Sequence, residues 1–343
     1  MKKKVLTYRK LFSQLKWLIV LVILLSGTLA KAQKLPIYNQ YMMNKFLLNP
    51  AVAGYKGFTS ANMTVREQWV GWENAPSTYS VSAQTRILRN SPIVNSTLFR
   101  RIFGRYRPSG RVGLGAHIYN DQNGIFDKTG LQLTYAYHLH SYNSQYSFGL
   151  SGSFYQYKAD LAFNGENQYI TDRNDALLVE NGNEAVLYIP DFDFGFLYSI
   201  YEFYAGVSVK DMLESWLQFG KGAIEQFNSQ RHYYFVSGYT YPIDDYFEVE
   251  GTLLAQSDET FTNPIFNVSV RGFYQDDYWM GLSYRTDRAL VLLAGVSVEN
   301  FYFGYGFDYT FSGIQRFSNG SHEISFGVVF GDDSRRYRWL DRF

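Results

Sequence analysis

Few side chains in this sequence have the types and spacing that chemistry requires. The five histidines are His117, His138, His140, His232 and His322. His138 and His140 are two residues apart, which on an extended strand puts both imidazoles on one face, a spacing that can bind a metal ion. No third ligand is evident near them, so we interpret both as polar strand residues that face a lumen or its rim.

Two enzymatic signatures are incomplete. His322 and Glu323 stand in HEISF, which lacks the second histidine that a zinc protease helix needs four positions after the first. No serine lies in a G-x-S-x-G turn, and the absence of cysteine excludes thiolate nucleophiles and cysteine-bound zinc. We therefore expect no enzyme, no catalytic residue, no metal site and no cofactor. A hydrolase that joins serine, histidine and acid from distant strands remains the enzymatic alternative.

The elements that must position these residues are strands. In LQLTYAYHLH, residues 131–140, leucines and tyrosines fall on one side of an extended chain, while the two histidines fall on the other. The same alternation recurs through the chain, in segments about long enough for a tilted strand to cross a bilayer. We predict fourteen strands, near 58–67, 77–86, 110–120, 129–140, 145–158, 191–200, 201–210, 231–241, 246–256, 264–273, 277–286, 288–298, 300–310 and 321–331.

The connections favour a membrane barrel over a soluble β-sandwich. From the fourth strand on, short turns alternate with longer loops, which is typical of an all-β, antiparallel outer-membrane barrel with both chain ends in the periplasm. A sandwich would leave many of the 30 tyrosines facing water. Several charged residues on these strands are predicted to point inward and to pair there: Glu248, Glu250, Arg271, Arg285 and Glu323.

The chain divides into four parts. Lysines and arginines precede the apolar run 17–25, and Ala30-Lys31-Ala32 supplies a cleavage site, so residues 1–32 read as a signal peptide. An uncleaved anchor is the alternative. Residues 33–57 are too irregular to span a membrane and are predicted to lie in the lumen or against its periplasmic mouth. Residues 58–331 form the barrel, and residues 332–343 form a periplasmic tail.

One predicted periplasmic connection is long and basic. Residues 87–109 include Arg100, Arg101, Arg105 and Arg107, which we interpret as a candidate contact for an acidic or anionic partner, with a solvated loop as the alternative. The net charge of the whole chain is only +1, so no nucleic-acid partner is indicated.

Specific residues resemble the PorP/SprF family of Bacteroidetes outer-membrane proteins. The resemblance begins with Asn49-Pro50-Ala51, followed by Ala53-Gly54, and is spread over nearly the whole mature chain. Its other matches are Arg66, Gln68 and Trp69; Pro76; Asn120-Asp121 with Gly124; Tyr135-Ala136-Tyr137; Pro190-Asp191-Phe192 with Gly195; WMGLSYR, which ends at Arg285; YGFDY, residues 305–309; and Gly320-Ser321-His322-Glu323-Ile324.

The resemblance implies an accessory role in type IX secretion, which exports proteins with C-terminal sorting domains and supports gliding motility. Its implied partners are the C-terminal domain of a large surface adhesin, components of the secretion core, and membrane lipids or lipopolysaccharide. The family has no assigned catalytic residues, so the matched residues are expected to be structural or partner-binding. An outer-membrane channel for hydrophobic or small polar solutes is the alternative function.

Overall fold

A computed structural model describes residues 38–87, 111–160, 184–214, 219–221 and 230–330 of the chain. Within these ranges, no helix is long and apolar enough to cross a membrane. Three short 3₁₀ helices occur at Lys45–Leu47, Pro50–Val52 and Gly313–Phe317. The strands are β1 (Thr59–Glu67), β2 (Ser77–Arg86), β3 (Val112–Asn123), β4 (Phe126–Ser141), β5 (Ser144–Asp160), β6 (Glu184–Ile200), β7 (Phe203–Lys210), β8 (Phe219–Lys221), β9 (His232–Pro242), β10 (Phe247–Asp258), β11 (Ile265–Tyr274), β12 (Tyr278–Arg285), β13 (Ala289–Val298), β14 (Phe301–Thr310) and β15 (Ser321–Phe330).

Fourteen of these strands close into an antiparallel barrel, which confirms the predicted fold class. Each strand pairs with its neighbours in sequence, and closure comes from β1 with β15, where Thr59 is opposite Phe330. The short strand β8 pairs only with residues 186–188 of β6 and stands outside the closed set. A closed barrel leaves no edge strand with unpaired backbone groups, which is what a strand structure inside lipid requires.

The wall is polar inside and apolar outside. On β1, Asn62, Thr64 and Arg66 are buried, whereas Met63 between them is 48% exposed. The same alternation holds on β4, where Gln132 and Thr134 are buried and Leu133 is exposed. This inverts the arrangement of a soluble protein and matches a barrel whose outer surface contacts lipid.

The barrel has two mouths, one at each end. The terminal mouth is the end at which β1 begins and β15 ends, and the far mouth is the opposite end. At the terminal mouth, turns such as 201–202 and 299–300 are short, and at the far mouth connections such as 68–76 and 311–320 are longer. From this asymmetry we predict that the terminal mouth faces the periplasm.

Two strand boundaries differ from those that we predicted. The connection between β3 and β4 is a turn at residues 124–125, because the polar residues before and after it continue the ladder. There the Asn120 side chain donates a hydrogen bond to Asp127 at 2.9 Å. The sixth strand begins at Glu184 instead of 191.

Some predicted parts lie outside the described residues. They are the signal peptide 1–32, the first residues of the N-terminal segment 33–57, the basic residues Arg100, Arg101, Arg105 and Arg107, and the tail 332–343.

Candidate functional site

Residues 38–55, called here the lumen segment, lie among the inward-facing side chains of the barrel. Most of their side chains are buried, including Asn39 and Tyr41, which are both 0% exposed. The Tyr41 hydroxyl is 2.9 Å from the Thr252 hydroxyl on β10, and the Asn44 side chain donates to Ser82 on β2 at 2.8 Å. The segment therefore contacts opposite parts of the wall.

The lumen segment descends from the far mouth toward the terminal mouth. Asn39 contacts Glu323 and Asp308, which lie close to the far-mouth ends of β15 and β14. Ala53 accepts a hydrogen bond at 2.9 Å from the ring of His138, close to the terminal-mouth end of β4. Gln145, the second residue of β5, lies at the same end and donates to the Tyr55 carbonyl at 3.2 Å.

A buried four-charge cluster lies beside the far-mouth end of the lumen segment. It consists of Arg66, Arg285, Asp308 and Glu323. Arg66 contacts Glu323 at 3.2 Å and Asp308 at 3.1 Å. Arg285 contacts the same Asp308 oxygen at 3.1 Å. Each charge of the cluster thus has an opposite charge beside it, and Arg285 also pairs with Asp287 at 2.7 Å. Buried charges are stable only beside opposite charges, and each of these four has one within 3.2 Å.

Glu323 also holds the main chain of the lumen segment. One carboxylate oxygen accepts from the Asn39 backbone N–H at 2.7 Å, and the other accepts from the Gln40 backbone N–H at 2.8 Å. The Gln40 side chain donates to the Glu323 carbonyl at 3.2 Å. Charge-assisted hydrogen bonds of this kind are about twice as strong as neutral ones, so Glu323 is the principal anchor of this end.

A second ionic contact lies across the lumen. Lys45 is 3.6 Å from Glu250 on β10 and 3.7 Å from the centre of the Tyr204 ring. Glu250 also pairs with Arg271 on the neighbouring strand β11. The predicted inward pairing is therefore observed for Glu250 and Arg271, and the lumen segment adds one further positive charge to this pair.

Asn49 and Pro50 fix the local fold of the lumen segment. Asn49 caps the short helix Pro50–Val52 by accepting from the Ala51 N–H at 2.9 Å, and Pro50 occupies the first helical position, where a missing N–H costs nothing. The Asn49 amide also donates to the carbonyls of Phe196 and Val207, at 3.0 and 3.1 Å. One asparagine thus caps a helix and ties it to β6 and β7.

Glycines in the wall let the lumen segment lie against it. A Cβ on Gly149 of β5 would be 2.2 Å from Ala51 and Pro50 backbone atoms, and one on Gly195 of β6 would be 2.0 Å from the Asn49 side chain. At Gly54 the φ angle is +68°, a left-handed value that favours glycine, and an added Cβ would be 2.6 Å from the Thr85 carbonyl. Close approach of the lumen segment to the wall explains these residues.

The histidines are placed as polar residues of the wall. His138 is fully buried between Ser147 and Ala53, and the His140 ring lies 3.1 Å from the Arg86 guanidinium. His322 faces outward, opposite to Glu323, and its Nδ1 is 2.7 Å from the Tyr305 hydroxyl. Among the residues that the structure describes, no three His, Cys, Asp or Glu side chains are grouped to hold a metal ion.

The remaining predicted residues stabilise the far-mouth connections. The Gln68 N–H donates to the Pro76 carbonyl at 2.8 Å, and the Trp69 N–H donates to the Ser321 hydroxyl at 3.1 Å. Asp121 accepts from Thr78 at 2.6 Å. Asp191 accepts from the backbone N–H of Leu213 at 2.9 Å. Of the predicted site residues that the structure describes, Arg66, Arg285 and Glu323 share a cluster, and the others are spread over the wall and the lumen segment.

Comparison with protein families decides the identification. The model of the type IX secretion system membrane protein PorP/SprF family matches residues 30–328. The chain belongs to the PorP/SprF family. This membership and the closed barrel with an apolar outer surface make it an integral outer-membrane protein associated with type IX secretion.

Solved structures similar to this PorP/SprF protein include two outer-membrane barrels. The toluene transporter TbuX of Ralstonia pickettii shares 11% identity with a TM-score of 0.45, over 86% of this chain and 94% of that chain. A Pseudomonas aeruginosa FadL homologue shares 10% identity with a TM-score of 0.40, over 88% of this chain and 96% of that chain. No curated protein matches the sequence.

Sequence reasoning missed three members of the site in this PorP/SprF protein. Asn39 and Gln40 belong to a segment that has no regular period, and nothing in their spacing indicates a carboxylate partner 284 residues away. Asp308 was included only within YGFDY. The available signal was its position: an acidic residue on the inward face of an otherwise aromatic strand requires a buried positive partner.

Proposed function

We propose that this protein is a non-enzymatic accessory subunit of the type IX secretion system that supports secretion and cell-surface anchoring of cargo with sorting domains, such as adhesins used in gliding motility. Family membership supports the secretion role. The observation that carries the proposal is the lumen segment, which fills part of the barrel interior with the chain's own residues. This filling favours a role in protein recognition.

The inward charges support a structural role for the lumen. The charges of the four-charge cluster are paired with one another, and Glu250 pairs with both Arg271 and Lys45. Groups paired in this way are not free to accept or donate protons to a substrate. We therefore place partner recognition on the two mouths of the barrel, with the wall serving as a rigid support.

The outer face supports lipid as the second partner. Large apolar side chains such as Leu133 and Leu282 are about half exposed on the outer surface, at 59% and 48%. Lipopolysaccharide and phospholipid would cover this surface in the outer membrane. The protein partners that we propose are the C-terminal domain of a large surface adhesin and core components of the secretion system.

Deletion of the gene in its native cell tests this function. We expect sorting-domain cargo to disappear from the cell surface and to accumulate inside the envelope, with recovery when the intact gene is restored. Immunoblots of surface-labelled and periplasmic fractions measure this distribution. Unchanged cargo on the deleted strain would overturn the proposal.

The same strains distinguish the accessory role from the solute-channel alternative. Uptake of a hydrophobic and of a small polar solute should be equal with and without the gene if the accessory role is correct. Reduced uptake together with normal cargo display would favour the channel instead. An unrelated outer-membrane barrel deleted in parallel controls for general damage to the envelope.

A further inference from the structure

We propose that residues 38–55 form a releasable strap, and that the four-charge cluster of Arg66, Arg285, Asp308 and Glu323 is the latch that holds it closed. The proposal concerns the conformation of the barrel and does not depend on the secretion role. It rests on three features of the described residues: the two ends of the strap are held differently, the ion pairs between wall residues do not involve the strap, and glycines lie near its junction with β1.

The two ends of the strap are held in different ways. Near the terminal mouth, residues 56–58 join it directly to β1, so this end cannot leave. Near the far mouth, Asn39 and Gln40 are held to the wall by hydrogen bonds, chiefly to Glu323. A further bond joins the Arg285 guanidinium to the Asn39 side chain at 2.9 Å. Release must therefore begin at the far-mouth end.

The wall keeps its own ion pairs when the strap leaves. Arg66 and Arg285 remain paired with Asp308 and Glu323, since these ion pairs join wall residues only. Across the lumen, departure of Lys45 leaves the Glu250 and Arg271 pair intact. Removing one partner of a buried pair is costly when the other is left alone; release separates Lys45 from Glu250, but Arg271 stays beside Glu250, so no wall charge is left unpaired. The closed ring of strands also pairs without any strap residue.

Two glycines lie where the strap must turn. Gly54 and Gly57 have φ angles of +68° and +95°, in the left-handed region that other residues rarely adopt. Hinges are short runs of residues that absorb large changes of φ and ψ. Gly57 lies between Tyr55, whose carbonyl accepts from Gln145, and the start of β1, and Gly54 lies just before Tyr55, so the pair brackets the point at which the strap joins the wall.

Ionic current through the purified protein in planar lipid bilayers tests the latch. Gln40→Pro removes the N–H that donates to Glu323 and leaves every wall charge in place. Glu323→Gln weakens the latch from the other side. Loss of a hydrogen bond to a charged group shifts an equilibrium roughly tenfold or more, so we expect at least about that rise in mean current over the wild type. The matched control is Glu67→Gln, an exposed acid on the outer face of β1.

A disulfide tether distinguishes release of the strap from misfolding of the barrel. The chain has no cysteine, and the Asn44 amide touches the Ser82 hydroxyl at 2.8 Å, so Asn44→Cys with Ser82→Cys joins the strap to β2. In the Gln40→Pro background, the oxidised tether should return the current to the wild-type level, and reduction should raise it again. Heat-modified gel mobility checks that each barrel is folded.

Three results would overturn the proposal. The first is that folded Gln40→Pro and Glu323→Gln barrels conduct no more than the wild type. The second is that the wild type already conducts at the level of the variants. The third is that the oxidised tether leaves the current of Gln40→Pro unchanged, which would mean that the current does not depend on the position of the strap.

Discussion

Arg66 and Glu323 stand directly opposite each other on the first and last strands of the barrel, and an ion pair of 3.2 Å joins their side chains across the seam. The pair is buried, at 1% and 0% exposed, and both residues make further contacts, to Asp308 and to the lumen segment. One residue pair therefore links closure of the barrel to occupation of its interior.

Replacement of Arg66 tests how much this ion pair contributes to the stability of the barrel. Arg66→Met removes one partner and leaves Glu323 without its ion pair, so we expect the free energy of unfolding to fall by roughly 3–5 kcal/mol. Urea titration of the barrel in lipid vesicles measures the change. Glu67→Gln, one residue along and exposed to the outside, should change it little. An Arg66→Met barrel as stable as the wild type would contradict the role assigned to the pair.

Close approach of the lumen segment to the wall predicts a contrast between two glycines. Gly149→Val puts a side chain where Pro50 and Ala51 lie, and overpacking of this kind costs about 1–3 kcal/mol. A Cβ added at Gly272 on β11 would have no other atom within 4 Å, so Gly272→Val should change the free energy of unfolding little. Urea titration of both variants, with limited proteolysis of residues 38–55, distinguishes them. Equal stability of the two would show that the segment does not press on β5.

Outward-facing leucines should be sensitive to charge. Leu282 lies near the middle of β12 and is 48% exposed on the apolar face. A buried arginine at the bilayer midplane costs roughly 2–4 kcal/mol, so Leu282→Arg should destabilise the barrel in lipid vesicles by about that amount. Leu282→Phe, which keeps the face apolar, is the control. If both substitutions are tolerated alike, this face does not contact lipid.

Asp211, which follows β7 at the far mouth, predicts a dependence on pH. Burial raises the pKa of its carboxyl, but Lys128 at 3.9 Å and His232 at 3.4 Å outweigh burial and hold the pKa at about 2, below the ordinary 3.8. Because the folded pKa is lowered, Asp211 stabilises the fold above about pH 4 and loses this effect as the pH falls toward 2.

Asp211→Asn checks the sign of this effect. At pH 7 the variant should be less stable than the wild type by about 2 kcal/mol, and the difference should shrink as the pH falls from about 4 to 2. Urea midpoints at several pH values measure the difference. A gap that stays constant down to pH 2 would mean that the Asp211 carboxyl is not held ionised by its neighbours.

Alternation of residue types predicted the strands well, because a barrel wall with polar and apolar faces repeats every two residues. It even separates neighbours such as His322 and Glu323, which face opposite sides of β15. Pro190 is the instructive exception. A proline normally marks the end of a strand, but here it lies within β6, at a stretch where pairing with β7 has ended and pairing with β8 has not begun.

The site itself was less accessible to sequence reasoning. Inward direction of Arg66, Arg285 and Glu323 follows from their strand positions, but their mutual contacts depend on the pairing register of β1 with β15 and of β12 through β15. A shift of one residue would turn each side chain to lipid. The lumen segment has no period at all, so the partners of Asn39 and Asn49 become evident only when the wall is closed around them.

Affinity purification from detergent-solubilised outer membranes tests the proposed function most directly. The tagged protein is expressed in its native cell, companions are identified by mass spectrometry, and an unrelated barrel with the same tag is the control. We predict that a large surface adhesin or core components of the type IX secretion system co-purify with this protein and not with the control. A clean barrel without such companions would contradict the accessory role.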